Sequence, residues 1–380
     1  MRPAPLPSPD PDALAASRRL LERLGGELAA HGNWISFARY MEIALYEPGL
    51  GYYAGGAAKL GASGDFVTAP EMGALFGRAL ARQVAELLEP GEAVLELGAG
   101  SGALAATLID ELARLGAGGR DYLILEASAE LAERQRARLG NRARWLNALP
   151  QRFRGVILAN EVADALPVHA LAWTGTGIFE RGVCARDGRL DWSERPAEGA
   201  VLAAARALGI ELPPSGRYES ELGLAARAWM RTLGASLERG AILVVDYGFP
   251  RREYYHPQRS MGTLACHYRH RSHGDPFHYP GLQDVTAHVD FSALAEAATD
   301  AGLELLGYAP QAQFLINCGL TELLAAIDPA DARRYAPLAA EAQRLVSPAE
   351  MGELFKVLAA GRGMRPPLRG FARGDRRHAL

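Results

Sequence analysis

The chain has 380 residues, nearly half of them apolar and under a quarter charged, which fits a folded protein with a substantial core and excludes disorder except near the ends. A formal net charge of −3 provides no global attraction for polyanions and argues against general nucleic-acid binding. Cys184, Cys266 and Cys318 lie far apart and form neither a disulfide framework nor a CxxC pair, so the sequence predicts a reducing compartment and no structural metal.

The proline-rich start, MRPAPLPSPDPD, lacks the apolar run of a secretory peptide, and no apolar stretch approaches the roughly 20 residues that span a bilayer. It reads as a short leader, and the protein is expected to be cytoplasmic. Leu14, Leu20, Leu21, Leu24 and Leu28 predict a helix over 13–31, and a second helix runs through Tyr40, Ile43 and Leu45. A long glycine- and tyrosine-containing loop, LGYYAGGAAKLGASGDF, then leads through VTAPEM into a helix over 71–89.

From residue 91 the pattern alternates between short apolar strands and helices. AVLELGAGSG reads as strand, glycine turn and helix start, DYLILEAS as a second strand ending at Glu126, ARWLNALP as a weaker third and RGVILANEV as a fourth. AILVVDYG at 241–248 is the fifth. Such alternation predicts an α/β fold with a Rossmann-like parallel sheet and right-handed crossovers.

The expected organisation has four parts. Residues 1–90 form a helical amino-terminal region and active-site cover, and residues 91–170 with 236–319 form the core. Residues 171–235 are an inserted α+β subdomain, made of a hairpin group followed by a helical stretch over 197–239. Residues 320–380 are carboxyl-terminal helices, helical through 363, with a tail. ELLGYAP and AQFLINCG are expected to be the strands that complete the sheet.

Gly98, Gly100 and Gly102 let backbone approach a ligand at a helix start, a pattern shared by dinucleotide-binding proteins and other users of the fold. Glu96 tips the choice, because a sulfonium ligand with an ammonium group benefits from a nearby acid and a pyrophosphate does not. The sequence therefore favours S-adenosyl-L-methionine over NAD, with an NAD-linked oxidoreductase as the competing reading. Glu126 is placed to accept the hydroxyl hydrogens of a ribose. Asn147 and Asn160, after the third strand and at the end of the fourth, complete the candidate cofactor contacts.

Glu161 and Asp164 follow the fourth strand at spacing i, i+3 and would share a face if that turn is helical. Asp246 ends the fifth strand, where it can orient substrate or bond the neighbouring loop. His288 in TAHVDF reads as a backbone-bonding residue or a proton acceptor. His267, His270, His273 and His278 are too irregularly spaced to predict a metal site.

The ordered motifs GDFVTAPEMGALFG, VLELGAGSG, NEVADALPV, VVDYG and DVTAHVDFSAL resemble the family that includes the mitochondrial complex I assembly factor arginine methyltransferase and its bacterial MidA-type homologues. The resemblance runs from about Ile35 to Phe371, with small residues, Val162 and Ala163, where the family usually has bulky ones. It implies a class I methyltransferase fold, S-adenosyl-L-methionine as methyl donor, and Gly64, Asp65 and Glu71 near the cofactor or substrate. It further implies a protein substrate methylated on arginine, with a respiratory-complex subunit as the acceptor to be tested. A homodimer stays open, as does a non-catalytic assembly or binding protein that keeps the fold.

Overall fold

Strand registers in a computed structural model, which describes residues 6–55 and 68–380, divide the chain into two units, one of which is built around a seven-strand ladder. This unit comprises Val67–Ala163, Arg227–Arg251 and Val289–Leu380. Its strands are β1 (Ala93–Leu97), β2 (Tyr122–Leu125), β3 (Arg144–Leu146), β4 (Phe153–Asn160), β5 (Leu237–Phe249), β6 (Glu304–Pro310) and β7 (Phe355–Arg362), in the spatial order β3-β2-β1-β4-β5-β7-β6.

The first five strands pair in parallel, whereas β7 runs antiparallel to both β5 and β6. The dinucleotide-binding order 3-2-1-4-5-6 has no such reversed strand wedged beside the fifth. A short strand, Val289–Asp290, pairs in parallel with the end of β5. The central strands are apolar on both faces because both faces are covered. Alternate residues Val94, Tyr122, Ile124, Val156, Leu158, Leu243 and Val245 enter one core with helices Leu75–Leu87 and Ala103–Arg114. In the β4–β5 pairing Gly155 lies opposite Gly240, and a Cβ on Gly240 would lie 1.8 Å from the Gly155 carbonyl oxygen.

The second unit comprises Met1–Phe66, Asp164–Ala226 and Arg252–His288. An antiparallel sheet joins Ile35–Ser36, Gly177–Arg186, His169–Thr174 and Arg217–Leu222, with Arg189–Pro196 paired to Gly177–Arg186. Ala265–Tyr268, Arg271–His273 and Asp284–Thr286 form a smaller sheet. Leu20, Leu24 and Leu28 of helix Pro11–Ala30 and Phe37, Tyr40 and Met41 of helix Phe37–Tyr46 share a core with Val183, Cys266 and Val285.

Several expectations require correction. The expected 1–90 region divides near residue 66, because the leucine stripe of the first helix packs with segments around 183 and 266–285, while Leu75–Leu87 packs on the main sheet. The insertion accordingly comprises two segments, 164–226 and 252–288, rather than 171–235 alone. The stretch expected to be helical over 197–239 contains the strand Arg217–Leu222 between two helices. AQFLINCG is not a strand, since Gln311–Asn317 is a helix that follows β6 directly. The strand that completes the sheet lies instead in the stretch expected to be helical: β7 is buried along nearly its whole length, and a run buried on both faces carries no period to separate it from a helix. Cys184, Cys266 and Cys318 are buried free thiols. No helix among the described residues is long and apolar enough to cross a membrane.

Candidate active site

The carboxyl ends of β1, β2, β4 and β5 bring most of the predicted residues into one unit. After β1 the backbone turns through Gly98, Gly100 and Gly102 with φ of 61°, 55° and 79°, a left-handed run that side chains other than glycine rarely adopt. Helix Ala103–Arg114 follows at once, so its first N–H groups lie at the turn.

Glu96, 2% exposed on β1, accepts a hydrogen bond of 2.6 Å from the Tyr122 hydroxyl. Burial pushes its carboxyl up to about 7; the Tyr122 bond opposes that rise, and the charge of Glu126 adds to it. Glu96 is therefore an acid poised near neutrality, held by a side chain rather than by the strand-end backbone. Glu126 is also raised, chiefly by burial.

Gln135 makes the turn and Glu126 one assembly. Its Nε2 donates to the Gly100 carbonyl at 2.9 Å and to Glu126 Oε2 at 2.8 Å, and its Oε1 accepts from Trp145 Nε1 at 2.9 Å. The backbone N–H of Ser128 donates to Glu126 Oε1 at 3.0 Å. These bonds, with a contribution from the Ala127 N–H, hold the carboxylate in place, and its oxygens keep acceptor capacity toward a ribose. Gln135 was hidden in the sequence because it occupies the apolar row of its helix between Leu131 and Leu139. Its only sequence signal was an amide on the row of Leu131 and Leu139, at a position where the spacing calls for leucine.

Glu71 joins the turn from the other side. Its carboxylate accepts from the Ser101 hydroxyl, and Arg138 Nη1 donates to the same hydroxyl oxygen at 2.9 Å. Pro70 and Glu71 stand in the first turn of the short helix Ala69–Met72, where Thr68 makes no side-chain cap, so Glu71 both begins this helix and bonds the glycine turn. Gly64 and Asp65 lie outside the described residues. Asn147 is exposed just past β3.

The end of β4 is organised differently. Glu161 has φ of 53°, in the left-handed region, and the turn after it is not helical. The i, i+3 argument for pairing Glu161 with Asp164 therefore fails, and the boundary between the two units falls between Ala163 and Asp164. Asp246, fully buried, accepts from the backbone N–H groups of Val162 at 3.2 Å and Ala163 at 2.9 Å through Oδ2, and from that of Tyr247 at 2.9 Å through Oδ1. Of the two roles expected for Asp246, the structure shows loop bonding. Through these bonds it holds the turn that carries Glu161.

Asn160 Nδ2 donates to Glu161 Oε1 at 3.1 Å, while Asn160 Oδ1 is buried without a hydrogen-bond partner. A buried acceptor in that condition can take a donor from a ligand. The turn is close to the glycines, since a Cβ on Gly98 would lie 3.1 Å from Val162 Cγ2. An acid near neutrality, a fixed acceptor for a ribose and an amide oxygen awaiting a donor fit S-adenosyl-L-methionine, whose ammonium and ribose hydroxyls supply those donors.

Asp164 and His288 belong to the other unit. Asp164 is buried, and its backbone carbonyl accepts from the Ala287 N–H at 3.1 Å. Burial first, then the charges of Asp284 and Asp164, push the Tyr53 hydroxyl well above its usual range, and that hydroxyl donates to Asp284 at 3.0 Å. The backbone N–H of His288 donates to Thr263 Oγ1 at 3.1 Å. Among the described residues no group of histidines, cysteines and carboxylates could hold a metal ion.

Comparison with known proteins agrees with this geometry. Residues 75–309 match a family described as S-adenosyl-L-methionine-dependent methyltransferases. A crystal structure from Burkholderia thailandensis, bound to S-adenosyl-homocysteine, is 52% identical, with a TM-score of 0.94 over 99% of this chain and all of that one. A mitochondrial protein arginine methyltransferase NDUFAF7 of Danio rerio is 30% identical over 90% of this chain and 86% of its own length. The human protein of the same name is 28% identical over 86% and 79%. These likenesses set aside the nicotinamide reading, and the methyl donor is S-adenosyl-L-methionine. The chain belongs to this family of class I S-adenosyl-L-methionine-dependent methyltransferases.

Proposed function

We propose that this methyltransferase modifies the guanidinium of an arginine in a protein substrate, with Glu161 gripping the acceptor. The observation that carries the reading is the likeness, at 30% identity over nine-tenths of the chain, to a protein named as an arginine methyltransferase. Glu161 supports it as a half-buried carboxylate held in a left-handed conformation at a strand end, a kind of strain that concentrates at functional sites.

When bound, the donor supplies an electrophilic methyl carbon: the acceptor nitrogen attacks it, the carbon–sulfur bond breaks, and its electron pair stays on sulfur to give neutral S-adenosylhomocysteine. An arginine side chain, with a pKa above about 12, arrives protonated and its nitrogen lone pair is delocalised. A carboxylate at Glu161 can hold the planar fork, draw charge from the attacking nitrogen and accept the proton released as the new bond forms. Glu126 and Asn160 hold the donor, and Asp246 fixes the turn that aims Glu161. Aligned capture of two reactants supplies much of the acceleration in such a displacement. The acceptor in this reading is a subunit of a respiratory complex, modified in the cytoplasm.

Incubating the protein with labelled methyl donor and host-cell extract, followed by mass analysis of the labelled species, tests the proposal. Methylarginine in a protein band is the expected result. Label in RNA or in a small metabolite would overturn the acceptor.

A further inference from the structure

Helix Leu75–Leu87 begins without a cap of its own, because its N-cap residue is Ala74, which has no side-chain acceptor. Its first N–H groups need acceptors all the same. They receive one from 266 residues away: Glu341, on helix Ala332–Val346 and 4% exposed, accepts the Leu75 N–H at 2.7 Å. Burial raises the Glu341 carboxyl, and the N–H groups of Leu75, Phe76 and Ala74 pull against that rise. A carboxylate at a helix start is also favoured by the aligned peptide dipoles. Gly73 accommodates it, because a Cβ there would come within 2.0 Å of Glu341 Oε2.

This cap lies at the root of the segment that reaches the glycine turn. Two residues before Gly73 stands Glu71, whose carboxylate accepts from Ser101 between Gly100 and Gly102. We propose that Glu341 is a positioning residue for methyl-donor binding: by capping Leu75–Leu87 in trans it fixes residues 69–76, and through them the Glu71–Ser101 contact that shapes the glycine turn. Glu341 acts through that segment and not by touching the donor.

Calorimetric titration of the full chain with S-adenosylhomocysteine tests this. Glu341→Ala is expected to weaken binding about tenfold, the equivalent of about 1.4 kcal/mol. Glu341→Gln, which keeps one acceptor oxygen, should lose clearly less, and Gly73→Ala, whose Cβ displaces the carboxylate, should resemble Glu341→Ala. Hydrogen exchange should quicken over residues 69–77 in Glu341→Ala and stay unchanged over Ala93–Leu97. Wild-type affinity in Glu341→Ala, equal losses in the alanine and glutamine variants, or faster exchange throughout the sheet would each overturn the proposal. Should Glu341→Ala fail to fold, Gly73→Ala decides: weakened binding supports the role, and wild-type affinity sinks it.

Discussion

Two acid-bearing rims lie at the carboxyl ends of the same sheet, and they use their carboxylates in opposite ways. After β1 and β2, Glu96 and Glu126 are held by the side chains of Tyr122 and Gln135, with their acidity weakened by burial. After β4 and β5, Asp246 gives its carboxylate to three backbone N–H groups and the neighbouring Glu161 takes up a strained backbone. An acid that still has acceptor positions to offer can meet a ligand, whereas one committed to backbone can only shape the place where another group meets it. Sequence cannot separate the two, since each is an acidic residue at a strand end.

The largest expected effect tests the clamp. Asp246→Ala removes the acceptor of three N–H groups around a fully buried site, at about 1–3 kcal/mol for each group left unmatched. Urea unfolding should show a loss of at least about 3 kcal/mol, with Asp246→Asn in between because one oxygen remains. A variant as stable as wild type but without methyl transfer would place Asp246 among the reacting groups and erase the contrast.

The donor-side rim predicts a pH signature of definite sign. The Glu96 carboxyl is raised when folded, to about 7 from an ordinary value of 4.5, so the folded state holds its proton more tightly. Its contribution is fully present below about pH 4.5 and is lost as pH rises through about 7. Glu96→Gln, which mimics the neutral form and can still accept from Tyr122, should remove that slope and gain up to about 3 kcal/mol at pH 8. Identical slopes for the two proteins in unfolding series from pH 5 to pH 8 would show that Glu96 titrates alike in both states.

Glu126→Ala should weaken S-adenosylhomocysteine binding at least about 100-fold, since even the low end of about 1.5 kcal/mol for each of two hydroxyls on a charged acceptor gives about 3 kcal/mol. Glu161→Ala should alter it little. Calorimetry showing equal losses would break the division between donor and acceptor rims.

The fold was legible wherever a local pattern determined it. Strand, turn and helix around Gly98–Gly102 follow from a short apolar run broken only by Glu96, a glycine cluster and a leucine row, all within about twenty residues. β7 was not legible, because KVLAAG has helix-forming residues and becomes a strand only by entering the gap between β5 and β6. Arg217–Leu222 escaped notice for the same reason, its partner His169–Thr174 lying some fifty residues away across two other strands. At the site, Glu96, Glu126 and the glycines could be named from position alone. The backbone-holding role of Asp246 and the roles of Gln135 and Glu341 depended on which groups long-range packing leaves in need of a partner.

The smallest effect sharpens the comparison most. Glu161 holds φ of 53°, and a side chain in that region costs roughly 1–2 kcal/mol relative to the right-handed one. Glycine relieves this strain but adds chain entropy of roughly 0.5–1 kcal/mol. Glu161→Gly should therefore gain about 0.5 kcal/mol or stay level in urea unfolding, while methyl transfer falls steeply and S-adenosylhomocysteine affinity holds. Stability kept and activity lost in one substitution would mean that the clamp at Asp246 maintains a costly conformation for the sake of chemistry. A clear loss of stability would instead mean that the glutamate side chain is part of what holds the turn, and the strain would then have a structural cause.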